Sequence, residues 1–275
     1  MMRMFEEIFG KKLPIIGVVH LQPLPGAPRY EGMSMKEIAR QAVAEARAMT
    51  ENGVDGLIVE NFRDMMFKKR VGPETVASMT YIASEVSSAV SAPIGLCVLQ
   101  SDAISALAIA KAVGGKFIRV PYYTETYIVD AGMMESIAAD ALRFRKMIEA
   151  RDVKIFADVH IKHGYSLSRR PIEESAEDTY ERGLADAIIV TGKKTGGKTK
   201  PEDVKVVRDY LPDLPLIVGS GVTTENLQEY FPKLGDAVIV GTSLKKEGKT
   251  EGAIDPERVR QFSKNMEVCR KELEK

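Results

Sequence analysis

Tryptophan is absent from the 275 residues, cysteine occurs twice and histidine three times. Net charge is missing too, since Lys plus Arg and Asp plus Glu each number 39. Each scarcity removes a class of protein. Cys97 in an apolar run and Cys269 near the C-terminus give neither a disulfide framework nor a cysteine-based zinc site. Balanced charge argues against a general nucleic-acid or membrane-surface binder, although it leaves room for a local basic patch. No apolar run is long enough to span a bilayer. The first twelve residues, "MMRMFEEIFGKK", carry acids inside their only apolar stretch and do not read as a secretion signal. The expectation is a cytoplasmic protein whose N-terminus forms a short helix over one end of the fold. Hydrophobic content of 44% and charged content of 28% describe an ordinary globular chain.

What the sequence has is repetition. Short apolar runs rich in Val and Ile recur at 14–20, 55–61, 93–99, 116–121, 153–160, 186–191, 214–220 and 236–242. They are apolar on both faces, as parallel strands covered by helices must be. Helical signals fill the gaps. The segment 34–53 opens with Ser34 three residues before Glu37 and closes at Gly53, and 72–90 has Pro73 in its first turn. Further helices are expected at 101–115, 134–151, 173–184, 201–210, 223–230 and 256–273. Eight strands and eight helices alternate, with a mean unit of about 34 residues, close to one βαβ step. The fold class expected is α/β, a single-domain (β/α)8 TIM barrel over 1–275 with 1–12 as an N-terminal extension; a doubly wound open sheet is the runner-up.

In such a barrel the chemistry gathers where the strands end, and the polar residues of this chain collect there. His20 closes the first strand, Glu60 and Asn61 the second, Gln100 follows the third, and Arg119 ends the fourth. Asp158, His160, Lys162 and His163 lie at the end of the fifth, and Thr191 and Gly192 at the end of the sixth. Strand alternation puts Phe156, Asp158 and His160 on one face, so His20, Asp158 and His160 are expected to share the barrel mouth. These three and Glu60 are candidate proton carriers, since His titrates near neutrality and burial raises a carboxyl pKa. Lys162 is a candidate Schiff-base amine if desolvation lowers its pKa. His160 and His163 are three apart, on opposite faces of an extended strand, so they make no ready metal pair, and no metal or cofactor is assigned.

Two glycine-containing turns follow the last two strands, "GSGVTTEN" (219–226) and "GTSLKKEG" (241–248). Glycine lets backbone N–H groups approach an anion, and barrels often bind phosphate in these two loops. Gly219, Ser220, Gly221, Gly241, Thr242 and Ser243 are therefore candidate phosphate ligands, with Asn61, Gln100, Arg119, Thr191 and Gly192 around the same ligand. A third stretch, "GKKTGGKT" (192–199), fits the spacing of a P-loop. Pro201 and Glu202 follow at once, so a helix starts near Lys200 with the Thr199 hydroxyl engaged as its cap. A basic lid carrying Lys193, Lys194, Gly196, Gly197 and Lys198 is the preferred reading, and a nucleotide hydrolase the lesser one. The proline-rich loop 21–32 reads as a stiff flap, while Tyr122, Tyr123 and Tyr127 either stack on a ligand ring or pack on the rim.

The stretch "IIGVVHLQPLPGAPRY" (15–30) resembles the signature of the BtpA family, also called BtpA/SgcQ. "DGLIVEN" (55–61), "ADVHIKHGYSL" (157–167), "DAIIVTG" (186–192) and "VGSGVTTEN" (218–226) continue the resemblance over nearly the whole chain. It implies a phosphate-binding TIM barrel. It also implies one of two roles: photosystem I biogenesis, as for cyanobacterial members, or an enzyme of sugar metabolism. The sixth loop departs from the expected small and acidic pattern with "KKTGGKTK". Two functions stay open. One is an enzyme (a lyase, isomerase or nucleosidase type) acting on a phosphorylated sugar or phosphoribosyl-type small molecule. The other is a non-catalytic assembly factor. The apolar faces of the outer helices are compatible with a homo-oligomer.

Overall fold

A computed structural model describes residues 2–192 and 197–273. The barrel strands are β1 (Ile15–His20), β2 (Gly56–Glu60), β3 (Ile94–Cys97), β4 (Phe117–Val120), β7 (Lys154–Val159), β9 (Ala187–Thr191), β10 (Leu216–Gly219) and β11 (Ala237–Val240). Their order around the sheet is β1-β11-β10-β9-β7-β4-β3-β2, all parallel, and the ring closes through Ile15↔Val238 and Ile16↔Gly56. The (β/α)8 barrel is thus the fold. Every barrel-strand residue but Lys154 at the start of β7 is buried, as follows from helices outside and packed side chains inside. Alternation along the strands sorts the two layers. Ile15, Val19, Leu57 and Val59 face the helices. Ile16, Val18, Ile58, Phe117, Phe156 and Ile189 fill the barrel interior.

The interior is closed at its N-terminal end by helix α1 (Met2–Phe9). Phe9 meets Phe117 edge-on at 5.6 Å between ring centroids, and Phe5 meets Phe156 at 6.0 Å. Glycine makes room for these rings: a Cβ at Gly56 would lie 2.4 Å from the Phe9 ring, and one at Gly95 2.3 Å from the Phe117 ring. The plug fixes which end can be open, and that is the end where the polar residues were expected.

The outer helices are α2 (Met35–Thr50), α3 (Pro73–Ala89), α4 (Ala103–Val113), α5 (Ala138–Met147), α6 (Ile172–Glu177), α7 (Pro201–Tyr210) and α8 (Pro256–Glu272). Ser34 accepts a hydrogen bond from the Glu37 amide at the start of α2, Pro73 opens α3, and Gly114 ends α4 in the left-handed region at φ 72°. Two expectations fail. The segment 223–230 holds one short turn, Leu227–Glu229, in place of a helix. Asn226 explains it: its side chain accepts from the Thr223 amide and donates to the Gly221 carbonyl, stabilising a turn that competes with helix. The strict alternation of eight helices therefore breaks after β10. The second failure is an addition. Strands β5 (Tyr127–Val129), β6 (Gly132–Met134) and β8 (Tyr165–Ser166) form an antiparallel sheet of order β6-β5-β8 over the mouth. Strands of two or three residues carry too little alternation to be read from sequence.

Candidate functional site

The ends of β1, β2, β4 and β7 build a row of charge across the mouth, reaching over β3 between Glu60 and Arg119. His20 and Glu60 are register partners on β1 and β2, with His20 Nε2 3.7 Å from a Glu60 oxygen. The other Glu60 oxygen lies 3.7 Å from Arg119 Nη1. Arg119 then donates two parallel hydrogen bonds to Asp158, of 2.9 and 2.8 Å. All four side chains are buried. A bidentate guanidinium–carboxylate pair satisfies both partners where water cannot. Burial opposes the charge on Arg119, but Asp158 more than offsets this and raises the Arg119 pKa above its ordinary value.

On His20 burial prevails. Removed from water, and with Lys245 and Lys162 adding positive charge nearby, its pKa falls well below the usual imidazole value. His20 is therefore a neutral ring at neutral pH, with one N–H donor and one acceptor nitrogen. It packs against Phe62 with the rings tilted by 30°, 4.5 Å between centroids. Lys162, just past β7, is half-buried and points its amine at Ser220, donating to the hydroxyl oxygen at 3.3 Å. Desolvation, with Arg119 close by, pushes its pKa down to about 8. The Cys97 thiol below the row is pushed up by burial and stays protonated.

Two cavities open on this row. The first, about 170 Å³, runs from His20, Glu60, Arg119 and Lys162 to the turns after β10 and β11. Gly219, Ser220, Gly221, Gly241, Thr242 and Ser243 all line it. Arg258, from the first turn of α8, closes its outer edge and is held by a 2.8 Å hydrogen bond to the Ser243 carbonyl. The second cavity, about 200 Å³, shares Glu60, Phe62, Arg119 and Lys162 with the first but has apolar walls, among them Phe67, Leu99, Tyr122 and Ile161. One lobe is thus suited to an anion and the other to an uncharged group, with the titratable side chains between them.

Other candidates lie elsewhere. His160 is exposed and lines neither cavity; its Nε2 is 3.3 Å from Ser175 Oγ. The expected sharing of a face with Asp158 fails because His160 adopts φ 46°, leaving the extended geometry on which alternation depends. Asn61 accepts from the Leu99 amide at 2.7 Å and donates to Asp64 at 3.1 Å, so it ties loops together and lines neither cavity. Thr191 is buried outside both cavities, its hydroxyl without a hydrogen-bond partner among the described residues. Gly192 is a packing point: a Cβ there would sit 2.2 Å from the Gly197 carbonyl oxygen. Gln100 lines the second lobe and donates to Asp130 at 3.0 Å. Of the tyrosines, Tyr122 lines that lobe with Tyr127 packed on it at 5.2 Å, and Tyr123 is buried against the Gly183 carbonyl.

The P-loop-like stretch changes meaning. Thr199 does not cap α7; Lys200 is the cap residue and makes no side-chain cap bond. Instead the buried Thr199 hydroxyl donates to the carbonyls of Gly219 and Ser220. Lys198 pairs with Glu229 at the surface, 2.7 Å away. Residues 197–199 therefore brace the 219–221 turn from behind, and the hydroxyl that a P-loop gives to magnesium is already engaged. Lys193, Lys194 and Gly196 of the expected lid lie outside the described residues. Among the described residues no three His, Cys, Asp or Glu side chains converge as a metal-holding group. Phe62 and Arg258 are site residues that strand-end reasoning on the sequence misses; Arg258 sits on a helix face, where that logic does not look.

Comparison with known proteins agrees with this architecture. The model of the BtpA family matches residues 11–268. An uncharacterized protein of Pyrococcus furiosus is 42% identical over 252 residues, covering 92% of this chain and 94% of that protein. The photosystem I biogenesis protein BtpA of Synechocystis is 42% identical over 261 residues, covering 94% and 90%. Among solved structures, thiamine phosphate pyrophosphorylase from Pyrococcus furiosus superposes with a TM-score of 0.57 at 14% identity, covering 94% of this chain and 96% of that one. N-(5'-phosphoribosyl)anthranilate isomerase from the same organism gives 0.56 at 14%, covering 93% and 99%. At such identity the structural likeness is one of fold.

Proposed function

This chain belongs to the BtpA family, and from that premise we propose that it is an enzyme acting on a phosphorylated sugar or phosphoribosyl-type small molecule. The observation that carries the reading is the first cavity, where two glycine-containing turns and Arg258 face His20, Glu60, Arg119 and Lys162, with Asp158 behind Arg119 and outside the cavity. The phosphate lies against the turns at 219–221 and 241–243, with Arg258 supplying positive charge. His20, as a neutral imidazole, donates a hydrogen bond to an oxygen of the ligand or exchanges a proton with it. Glu60, within 4 Å of both His20 and Arg119, carries the proton on. Asp158 is committed to Arg119 and acts by orienting it. The phosphate-bearing compounds in the names of the two solved structures agree in kind with this assignment. The reaction type is an isomerisation, a lyase step or cleavage of a glycosidic bond.

The test is a thermal-shift series with inorganic phosphate, ribose 5-phosphate and unphosphorylated ribose. The first two raise the melting temperature and ribose alone does not, because ligand binding to the native state stabilises it. A flat response to all three removes the reading. A second reading, a non-catalytic assembly factor, draws on the Synechocystis relative's name and on one surface feature. Met133, Ile128 and Tyr165 are cross-strand neighbours on the mouth sheet and all are exposed. That reading takes over if no phosphate binds.

A further inference from the structure

The two lobes meet at one nucleophile. Lys162 lines both cavities. Its amine donates to the Ser220 hydroxyl, a neutral group that does little to hold the charged ammonium form. The nearby carboxylates are otherwise engaged: Asp158 accepts from Nε and Nη2 of Arg119, and Glu60 stands between Arg119 Nη1 and His20. The buried Lys245 faces Glu45 at 3.8 Å and lines neither cavity. A phosphate seated at 219–221 and 241–243 would bring the atoms next to it alongside the Lys162 amine, with the remainder of the molecule in the apolar second lobe.

We propose that Lys162 forms an imine with the carbonyl carbon of a phosphorylated aldehyde or ketone held across the two lobes. This rests on the phosphate site proposed above and narrows its substrate to carbonyl compounds. The neutral amine donates its lone pair to the carbonyl carbon, and the C=O π pair moves to oxygen. Nitrogen loses a proton and oxygen gains one, giving a carbinolamine. Oxygen then takes a second proton, the C–O bond breaks, and water leaves as the C=N bond forms. One proton is consumed overall to give the protonated imine, and no oxidant or reductant takes part. Glu60 and His20, beside the amine's cavity, are the groups placed to relay these protons. The lowered Lys162 pKa of about 8 supplies the free amine: roughly a tenth is unprotonated at pH 7, against well under a thousandth for an ordinary lysine.

Two probes test this, pyridoxal 5'-phosphate (an aromatic aldehyde bearing a phosphate) and the smaller glyceraldehyde 3-phosphate. Each is incubated with the full chain, reduced with borohydride to fix any imine as a secondary amine, and located by peptide mass spectrometry. The expected result is about one adduct per chain on Lys162. It should fall at least several-fold with excess inorganic phosphate and vanish in Lys162→Met. Adducts spread over surface lysines, or a Lys162 adduct indifferent to phosphate, overturn the proposal, and so does failure of both probes to label Lys162. The adduct is located in the wild-type protein, so the outcome does not depend on whether Lys162→Met folds well. A melting temperature raised by inorganic phosphate without any Lys162 adduct sinks the imine alone. No phosphate response and no adduct sink the phosphate site as well.

Discussion

Arg119 and Asp158 hold each other in a buried two-bond pair, and this decides what substitution at either residue does. Asp158→Asn removes the carboxylate that holds the buried guanidinium by two hydrogen bonds and leaves it Glu60 at 3.7 Å. It is expected to cost about 3–5 kcal/mol of stability, read as a lower urea midpoint. Lost activity in that variant says little about catalysis. Glu60→Gln is the cleaner probe, because its contacts to His20 and Arg119 are both 3.7 Å, longer than hydrogen bonds. It should stay folded and lose turnover. His20 gives a prediction with a definite sign. Its folded pKa lies well below the unfolded value near 6.5. Between those two values the unfolded chain binds a proton at this position and the native chain does not. Stability therefore falls as pH drops below about 6.5. His20→Gln should flatten that acid slope in denaturation measured from pH 7 downward; an unchanged slope refutes it.

At the scale of elements, the plug and the turns separate stability from binding. Phe5 is buried at the closed end of the barrel against Phe156. Phe5→Ala should cost about 3–5 kcal/mol and leave phosphate affinity unchanged, since the cavity opens at the other end. The two glycine turns behave differently from one another. Gly221 has φ 63°, and a Cβ there would come within 2.5 Å of Gly197 backbone atoms, so Gly221→Ala strains the turn itself. At Gly241 the nearest atom to an added Cβ is His20 Cε1, at 3.4 Å. Gly241→Ala should thus fold normally yet place a methyl in the cavity and weaken phosphate by roughly tenfold, about 1.4 kcal/mol. Calorimetric titration with inorganic phosphate checks this, and unchanged affinity would move the anion elsewhere.

For the molecule as a whole, zero formal charge means that any anion affinity comes from local groups at the mouth and not from a general positive field. Phosphate at a hundred times its dissociation constant stabilises the native state by about 2.7 kcal/mol, and for a chain of this size the melting temperature should rise by roughly 5–10 °C. The barrel itself was readable along the chain. Apolar runs such as "PIIGVVH" and "DAVIVGT", spaced by one helix length, report burial on both faces through local composition alone. Strand ends and glycine turns then marked the open rim, because backbone geometry ties side-chain direction to sequence parity while the strand lasts. Parity stopped at His160, where a left-handed φ turned the chain out of the strand. The Arg119–Asp158 pair joins residues 39 apart, Thr199 braces a turn 20 residues on, and Arg258 reaches the cavity from a helix. Contacts of that range are chosen by which side chains the closed barrel brings face to face, and no local pattern encodes them. The sequence by itself determined the barrel and its open rim; only the tertiary structure decided which polar groups neutralise one another there.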